Sequence, residues 1–231
     1  MKQIFVPAAI FTLLMLLTTV SCKQPPADEP AKATETMEVK TDVPTTKEAS
    51  PTILFFGNSL TAGYGLDPEQ SFPSLIEDTL ATLGLDYKVI NAGLSGETTS
   101  GGLNRIDWVL QQPVSIFALE LGANDMLRGL PLEETKKNLA AILDKVRTKY
   151  PTAKLLLFEM LASPNMGPDY ERDFRQIYTD LSQASDVKFV PFFLEGVAGN
   201  PALLLPDGKH PNADGQKIVA ANVWKHLQDE L

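Results

Sequence analysis

Short apolar runs alternate with amphipathic segments over most of the chain. Five runs are rich in β-branched, leucine and aromatic side chains and predict strands: 53–56, 87–90, 116–121, 154–158 and 187–190. Apolar residues recur at helical spacing in four further segments: 72–83, 139–150, 170–181 and 218–227. Strands that alternate with helices are typical of βαβ units. The pattern therefore predicts an α/β fold in which helices cover a parallel sheet in three layers.

The first residues follow a different pattern. Lys2 precedes an apolar stretch from residue 4 to residue 20, and Ser21 and Cys22 come next. A positive start and an apolar segment shorter than a bilayer span, closed by small residues, are typical of a secretory signal. The position of the sole cysteine resembles a bacterial lipoprotein signal, although Thr19-Val20-Ser21 departs from the usual leucine-first motif. The alternative is an ordinary signal with an unmodified cysteine.

The next segment lacks the apolar side chains that a folded core requires. Residues 23–50 consist mainly of Pro, Ala, Thr, Lys and Glu, so they cannot bury enough surface to offset the entropy of ordering. The sequence thus predicts a signal at 1–22 that ends at a lipidated Cys22, a disordered tether at 23–50 and one domain at 51–231. Such a protein would be exported and held by its lipid at a membrane, in the periplasm or on the cell surface.

Charge and composition exclude several classes of function. The chain has a formal net charge of −9 and no basic stripe, which argues against nucleic-acid binding. One cysteine and two histidines cannot supply the ligands of a structural zinc site or an iron–sulfur cluster, and no intramolecular disulfide can form.

Glycine-rich polar segments interrupt the pattern at four places. Three of them follow predicted strands and the fourth precedes the last helix: 57–65, 91–102, 122–125 and 205–212. In parallel sheets, ligand crevices lie at the carboxyl ends of the strands. The first segment places Ser59 directly after a strand, and Gly57 there would allow a tight or positive-φ turn.

A hydroxyl in that position needs a base before it can act as a nucleophile. His210 lies on a loop three residues after Asp207, which could hold one imidazole nitrogen while the other faces Ser59. His226 lies near the end of the last predicted helix and is interpreted as a solvated residue. Ser95, in a Gly-Leu-Ser-Gly loop, is a rival nucleophile that lacks the strand-then-bend setting.

Acyl transfer also requires hydrogen-bond donors for an oxyanion. The candidates are the backbone N–H groups of Ser59 and Gly96 and the side-chain amide of Asn124. Taken singly, Gly96 could equally be an ordinary turn residue, and Asn124 could close an Asx turn. Together with Ser59, Asp207 and His210, they favour an oxyanion hole.

Four segments resemble, in order, the sequence blocks of the SGNH (GDSL-type) hydrolase family: Gly57-Asn58-Ser59-Leu60, Ser95-Gly96-Glu97-Thr98, Gly122-Ala123-Asn124-Asp125 and Asp207-Gly208-Lys209-His210-Pro211-Asn212. The segments 120–129 and 191–195 are similar to the bacterial periplasmic thioesterase I/lysophospholipase/arylesterase subgroup. The resemblance implies a flavodoxin-like three-layer α/β/α domain with five parallel strands, and neither a metal nor an organic cofactor.

The resemblance also implies roles for individual residues. Ser59 would be the nucleophile, His210 the base and Asp207 its partner, with Ser59, Gly96 and Asn124 forming the oxyanion hole. One position departs from the family, because Asn58 stands where an aspartate usually precedes the nucleophile. An amide donates as well as accepts hydrogen bonds, so we expect activity to survive with an altered local geometry.

The substrate is predicted from apolar residues in loops near the crevice. Met126, Leu127, Pro164 and Asn165 are expected to contact an acyl chain, although packing within the loops would explain them equally well. We therefore expect a monomeric serine esterase for small acyl esters or thioesters of the acyl-CoA, lysophospholipid or aryl ester type. The alternatives are a carbohydrate O-acetyl esterase and a surface lipoprotein that uses the fold only for binding.

Overall fold

We describe the protein from a computed structural model, which describes residues 50–183 and 186–231. The predicted signal at 1–22, the predicted lipidation site Cys22 and residues 23–49 of the predicted tether lie outside the described residues. Within the described ranges, no helix is both long and apolar enough to cross a membrane.

Five parallel strands form a single sheet in the order β2-β1-β3-β4-β5. Their bounds are β1 Thr52–Gly57, β2 Lys88–Gly93, β3 Ile116–Glu120, β4 Lys154–Phe158 and β5 Val187–Val190. All five predicted strands are thus confirmed, with β2 running three residues further than predicted. The strands β1, β3 and β4 are almost entirely buried, because helices cover both faces of the sheet.

In residues 50–183 and 186–231, seven α-helices connect the strands and complete the three layers. They are α1 Ser59–Ala62, α2 Phe72–Thr82, α3 Thr99–Val109, α4 Ala123–Leu127, α5 Leu132–Lys149, α6 Pro168–Ser182 and α7 Ala213–Leu227. The helices α3, α5 and α6 pack side by side on one face of the sheet, and α2 packs against α7 on the other. The four predicted helical segments correspond to α2, α5, α6 and α7.

The helix α3 was not predicted, because it begins with four residues that disfavour helices, Thr99-Ser100-Gly101-Gly102. Two features stabilise it there. The Thr98 hydroxyl accepts a hydrogen bond from the Gly101 N–H at 3.2 Å and caps the helix. A Cβ at Gly102 would lie 2.6 Å from Leu121 Cδ1, so the glycine allows α3 to approach the sheet closely.

Candidate active site

The Ser59 turn, residues 57–63, begins at the end of β1 and includes the short helix α1. Asn58 caps α1, because its Oδ1 accepts a hydrogen bond from the Leu60 N–H at 2.9 Å. Gly57 does not adopt a positive φ. Its importance is the close approach of its neighbours, since a Cβ there would lie 2.1 Å from Thr61 Oγ1 and 2.8 Å from the Glu120 carbonyl oxygen. The turn is therefore held tightly against the end of β3.

The end of β2 supports the same turn from the other side. A Cβ at Gly93 would lie 2.3 Å from the backbone nitrogen of Ala62, so α1 rests directly on the β2 backbone. The Asn91 side-chain amide donates to the Thr61 carbonyl oxygen at 2.9 Å. Contacts on both sides thus fix the direction in which Ser59 projects from the sheet edge.

The structure brings Ser59, His210 and Asp207 into one line of hydrogen bonds. Ser59 Oγ lies 2.8 Å from His210 Nε2, and His210 Nδ1 lies 2.6 Å from Asp207 Oδ2. An ionised carboxylate only accepts hydrogen bonds, so it selects the tautomer with the proton on Nδ1. Nε2 is then free to accept the Ser59 hydroxyl proton.

The Asp207 carboxylate is fixed by its own loop. Its Oδ1 accepts the backbone N–H groups of Lys209 at 2.9 Å and His210 at 3.1 Å. The hydrogen bond from the His210 ring, followed by these two backbone bonds, holds the pKa of Asp207 well below its usual range. The carboxylate therefore stays ionised at neutral pH and can orient the imidazole.

The three predicted oxyanion donors line the crevice beside this relay. Asn124 lies in α4, and its Nδ2 donates one hydrogen to the Glu97 carbonyl oxygen at 2.9 Å, which leaves its second hydrogen available. In the described part of the chain, the backbone N–H groups of Ser59 and Gly96 donate to no other group. Gly96 has a φ of +80°, which favours glycine.

An ion pair and a hydrogen bond brace the loop that contains Gly96. Arg105 contacts the buried Glu97 carboxylate through both Nε and Nη2. Arg128 Nη2 donates to the Gly96 carbonyl oxygen at 2.7 Å. Arg128 thus holds the backbone of this loop beside the crevice.

The start of α4 depends on a glycine. Gly122 has a φ of +117°, and a Cβ there would lie 2.1 Å from the hydroxyl oxygen of Tyr178. The buried Asp125 carboxylate accepts hydrogen bonds from the backbone N–H and the hydroxyl of Thr99, at 2.9 and 2.6 Å. This contact joins α4 to α3, so the segments that carry Asn124 and Gly96 are fixed to each other.

A mostly apolar crevice of about 700 Å³ opens beside Ser59. Met126, Leu127 and Pro164, which the sequence proposes as substrate-contacting residues, line it. Asn165 does not line it: the residue lies in the 3₁₀ turn Pro164–Met166 with its side chain exposed. Sequence reasoning missed other lining residues from distant segments, among them Tyr64, Met160, Phe192, Leu194 and Leu204.

The remaining candidates occupy other positions. Ser95 lines the crevice, but the hydroxyl that contacts His210 is that of Ser59. His226 lies outside the crevice and is half-buried near the end of α7, where burial and then Lys188 lower its pKa. Among residues 50–183 and 186–231, no cluster of three or more His, Cys, Asp or Glu side chains is arranged to hold a metal ion.

Glu120 is a functional candidate that the sequence did not reveal. It ends β3 with 1% of its surface exposed and accepts hydrogen bonds from Asn58 and Thr61 of the Ser59 turn. Burial raises the pKa of Glu120 from 4.5 to about 7, although these hydrogen bonds oppose the shift.

Comparisons with known proteins identify the family of the chain. Residues 55–218 match the GDSL-like Lipase/Acylhydrolase family. Esterase TesA of Pseudomonas aeruginosa is 38% identical over 188 residues, which cover 81% of this chain and 92% of TesA. Thioesterase 1/protease 1/lysophospholipase L1 of Escherichia coli K12 is 37% identical, with 78% of this chain and 85% of the relative covered.

A solved structure gives the same result. The psychrotrophic esterase EstA from Pseudoalteromonas sp., inhibited by monoethylphosphonate, superposes with a TM-score of 0.73 at 34% identity, covering 78% of this chain and 98% of EstA. The match of fold, motif order and sequence extends over nearly all the described residues. The chain therefore belongs to the GDSL-like lipase/acylhydrolase family.

Proposed function

We propose that the protein is a serine esterase that hydrolyses carboxylic esters or thioesters through an acyl-enzyme on Ser59. The observation that carries the proposal is the unbroken relay from Asp207 through His210 to Ser59 at the mouth of an apolar crevice. A surface lipoprotein that only binds ligands would not need this relay. Membership of a family of acylhydrolases and the esterase and thioesterase names of the relatives support hydrolysis of ester bonds.

The first half of the reaction forms the acyl-enzyme. His210 Nε2 accepts the Ser59 hydroxyl proton while Oγ attacks the carbonyl carbon of the substrate. The negative charge that develops on the carbonyl oxygen is stabilised by the N–H groups of Ser59, Gly96 and Asn124. The imidazolium then gives its proton to the leaving alcohol or thiol as the bond to carbon breaks.

The second half releases the acid. Water loses a proton to His210 Nε2 and attacks the acyl carbon, and the same three donors stabilise the second oxyanion. Collapse of this intermediate breaks the bond to Ser59 Oγ, which recovers the proton from the imidazolium. Asp207 remains ionised in both halves and stabilises the positive imidazole.

The crevice supports an acyl chain as the part of the substrate that is bound there. Met126, Met160 and Leu194 lie among its lining residues, and flexible thioether side chains adapt to chains of different length. We test this with the purified protein on acyl groups of increasing length, attached to nitrophenol, coenzyme A and glycerophosphocholine. We expect kcat/KM to rise from acetyl to medium chains, because each additional buried CH₂ should strengthen transition-state binding by about 0.8 kcal/mol. Cleavage of acetylated sugars alone would instead indicate the carbohydrate O-acetyl esterase.

We also propose that the protein is exported as a monomer and anchored to a membrane through Cys22. The support is the sequence: a signal-like apolar stretch, a cysteine at its end and a polar tether before the domain. Replacing Cys22 with serine should move the protein from the membrane fraction to the soluble fraction, with esterase activity retained. A variant that stays on the membrane would contradict lipid anchoring.

A further inference from the structure

The other buried glutamates of the described chain form ion pairs with arginine side chains, whereas Glu120 does not. Glu97 pairs with Arg105, and Glu159 pairs with Arg175. Among the residues that the structure describes, no cation pairs with Glu120. Its contacts are the Asn58 N–H at 3.1 Å, the Asn58 side-chain Nδ2 at 2.6 Å and the Thr61 hydroxyl at 2.8 Å. A carboxylate with no counter-ion is therefore buried directly behind the Ser59 turn.

The hydrogen-bond roles in this cluster are fixed by the backbone. Asn58 Oδ1 accepts the Leu60 N–H as the cap of α1, so Nδ2 must face Glu120. The Asn58 backbone N–H also can only donate. Both carboxylate oxygens thus accept hydrogen bonds, an arrangement that suits an ionised carboxylate. If Glu120 were protonated, its own O–H would lack an acceptor unless the Thr61 hydroxyl turned from donor to acceptor.

We propose that Glu120 is a positioning residue for Ser59, acting through Asn58, and that loss of the Glu120 proton completes the Ser59 turn. The inference rests on the proposed role of Ser59. Ionised Glu120 holds the backbone and the amide of Asn58, and these set the first turn of α1, which carries the Ser59 hydroxyl and N–H. Charge-assisted hydrogen bonds are roughly twice as strong as neutral ones, so protonation of Glu120 weakens its hydrogen bonds with Asn58.

The same geometry gives a reason for the asparagine. Asn58 Nδ2 lies 2.6 Å from Glu120 Oε1. An aspartate in that place would bring two buried carboxylates together. Such a pair shares one proton, which it loses only at a pH well above the usual pKa of a carboxyl group. With Asn58, the cluster reaches its fully bonded state when Glu120 alone loses a proton.

The surroundings indicate where this ionisation occurs. Burial raises the pKa of Glu120 to about 7. Burial, and after it the charge of Glu120, raises the pKa of Tyr178, whose hydroxyl donates to the Leu121 carbonyl oxygen. Asp125 and Glu159 act on the same tyrosine, and burial keeps Tyr178 neutral by raising its pKa well above 10. The Glu120 carboxyl therefore loses its proton near neutral pH.

The kinetic test compares Glu120→Gln with Glu159→Gln, a matched change at another buried carboxylate that contacts Arg175 and the Phe192 N–H. In the wild type, kcat/KM on the acid side should fall more steeply than one proton allows, because His210 and Glu120 must both be deprotonated. Glu120→Gln should follow a single proton and lose up to about 10²-fold in kcat with KM nearly unchanged. Glu159→Gln should keep the wild-type slope. An unchanged slope and kcat in Glu120→Gln would overturn the proposal.

A second readout does not depend on turnover. Infrared difference spectra of the resting protein between acidic and alkaline pH should show a protonated-carboxyl band that disappears near pH 7. The band should be absent in Glu120→Gln and persist to higher pH in Asn58→Asp. A band shared by wild type and Glu120→Gln would contradict the assignment. The same infrared spectra of Ser59→Ala distinguish a failure of this proposal from a failure of the proposed function. The Glu120 band should remain in that variant even if Ser59 is not the nucleophile.

Discussion

Ser59→Ala should lower the hydrolysis of a nitrophenyl acyl ester by at least about 10³-fold, to the rate set by binding and the oxyanion donors alone. The substitution removes the one hydroxyl that His210 Nε2 contacts, at 2.8 Å, while the Asn58 cap and the Gly57 packing that form the turn remain. The variant should therefore fold normally. Initial rates, with circular dichroism as the check on folding, measure both expectations.

Ser95→Ala is the matched control for this loss. Ser95 lines the same crevice but does not contact His210, so its removal should leave kcat within about tenfold of the wild type. If Ser95→Ala were inactive and Ser59→Ala active, the two serines would exchange roles. The control therefore separates loss of the nucleophile from a general disturbance of the crevice.

His210→Ala should lose about as much activity as Ser59→Ala, and the double variant should lose no more than either alone. Residues that act as a unit are strongly non-additive, because a hydroxyl without its base is as inactive as no hydroxyl. Single-turnover and steady-state rates of the three variants measure this. Losses that multiply in the double variant would show that the two side chains act independently.

Asp207→Asn completes that series with a loss of about 10³- to 10⁴-fold in kcat. The hydrogen bond from His210 lowers the pKa of Asp207 in the folded protein. Its contribution to the stability of the fold is therefore fully present at any pH above the ordinary pKa of an aspartate, and is lost only as the pH falls towards the lowered pKa. Asp207 thus adds no step to the activity profile near neutral pH. A wild-type rate for Asp207→Asn would contradict its orienting role.

The strands and the main helices could be predicted because their signals are local. The apolar runs of β1, β3 and β4 and the periodic faces of α5 and α6 are visible within short windows of sequence. The helix α3 was not predicted because its glycines disfavour helices and because the close packing of Gly102 beside Leu121, a residue of another segment, is not visible in a local window. Propensity was overridden there by tertiary packing.

The candidate site shows the same division. The order of the motifs indicates one crevice, and the structure places Ser59, Gly96, Asn124 and His210 along it. Asp207 contacts His210 from outside the crevice lining. Orientation could not be predicted: the side chain of Asn165 turns to solvent, one residue from the crevice wall at Pro164.

Glu120 was hidden for a different reason. It ends an apolar strand, where a single glutamate gives no sign of its partner, and that partner, Asn58, lies 62 residues away in sequence. Only the parallel pairing of β1 with β3 sets Gly57 opposite Glu120 and so brings the carboxylate to the Ser59 turn. A contact of this kind follows from the register of the sheet and not from a motif.

The most direct test of the account is to identify the atom that becomes acylated. An activated alkyl phosphonate ester reacts with a nucleophilic serine and leaves a stable phosphonyl adduct, which peptide mass spectrometry can locate. We expect one adduct per chain, on the peptide that contains Ser59, and none on Ser59→Ala or after the protein is unfolded beforehand. An adduct on Ser95, or full loss of esterase activity without any adduct at Ser59, would contradict the account.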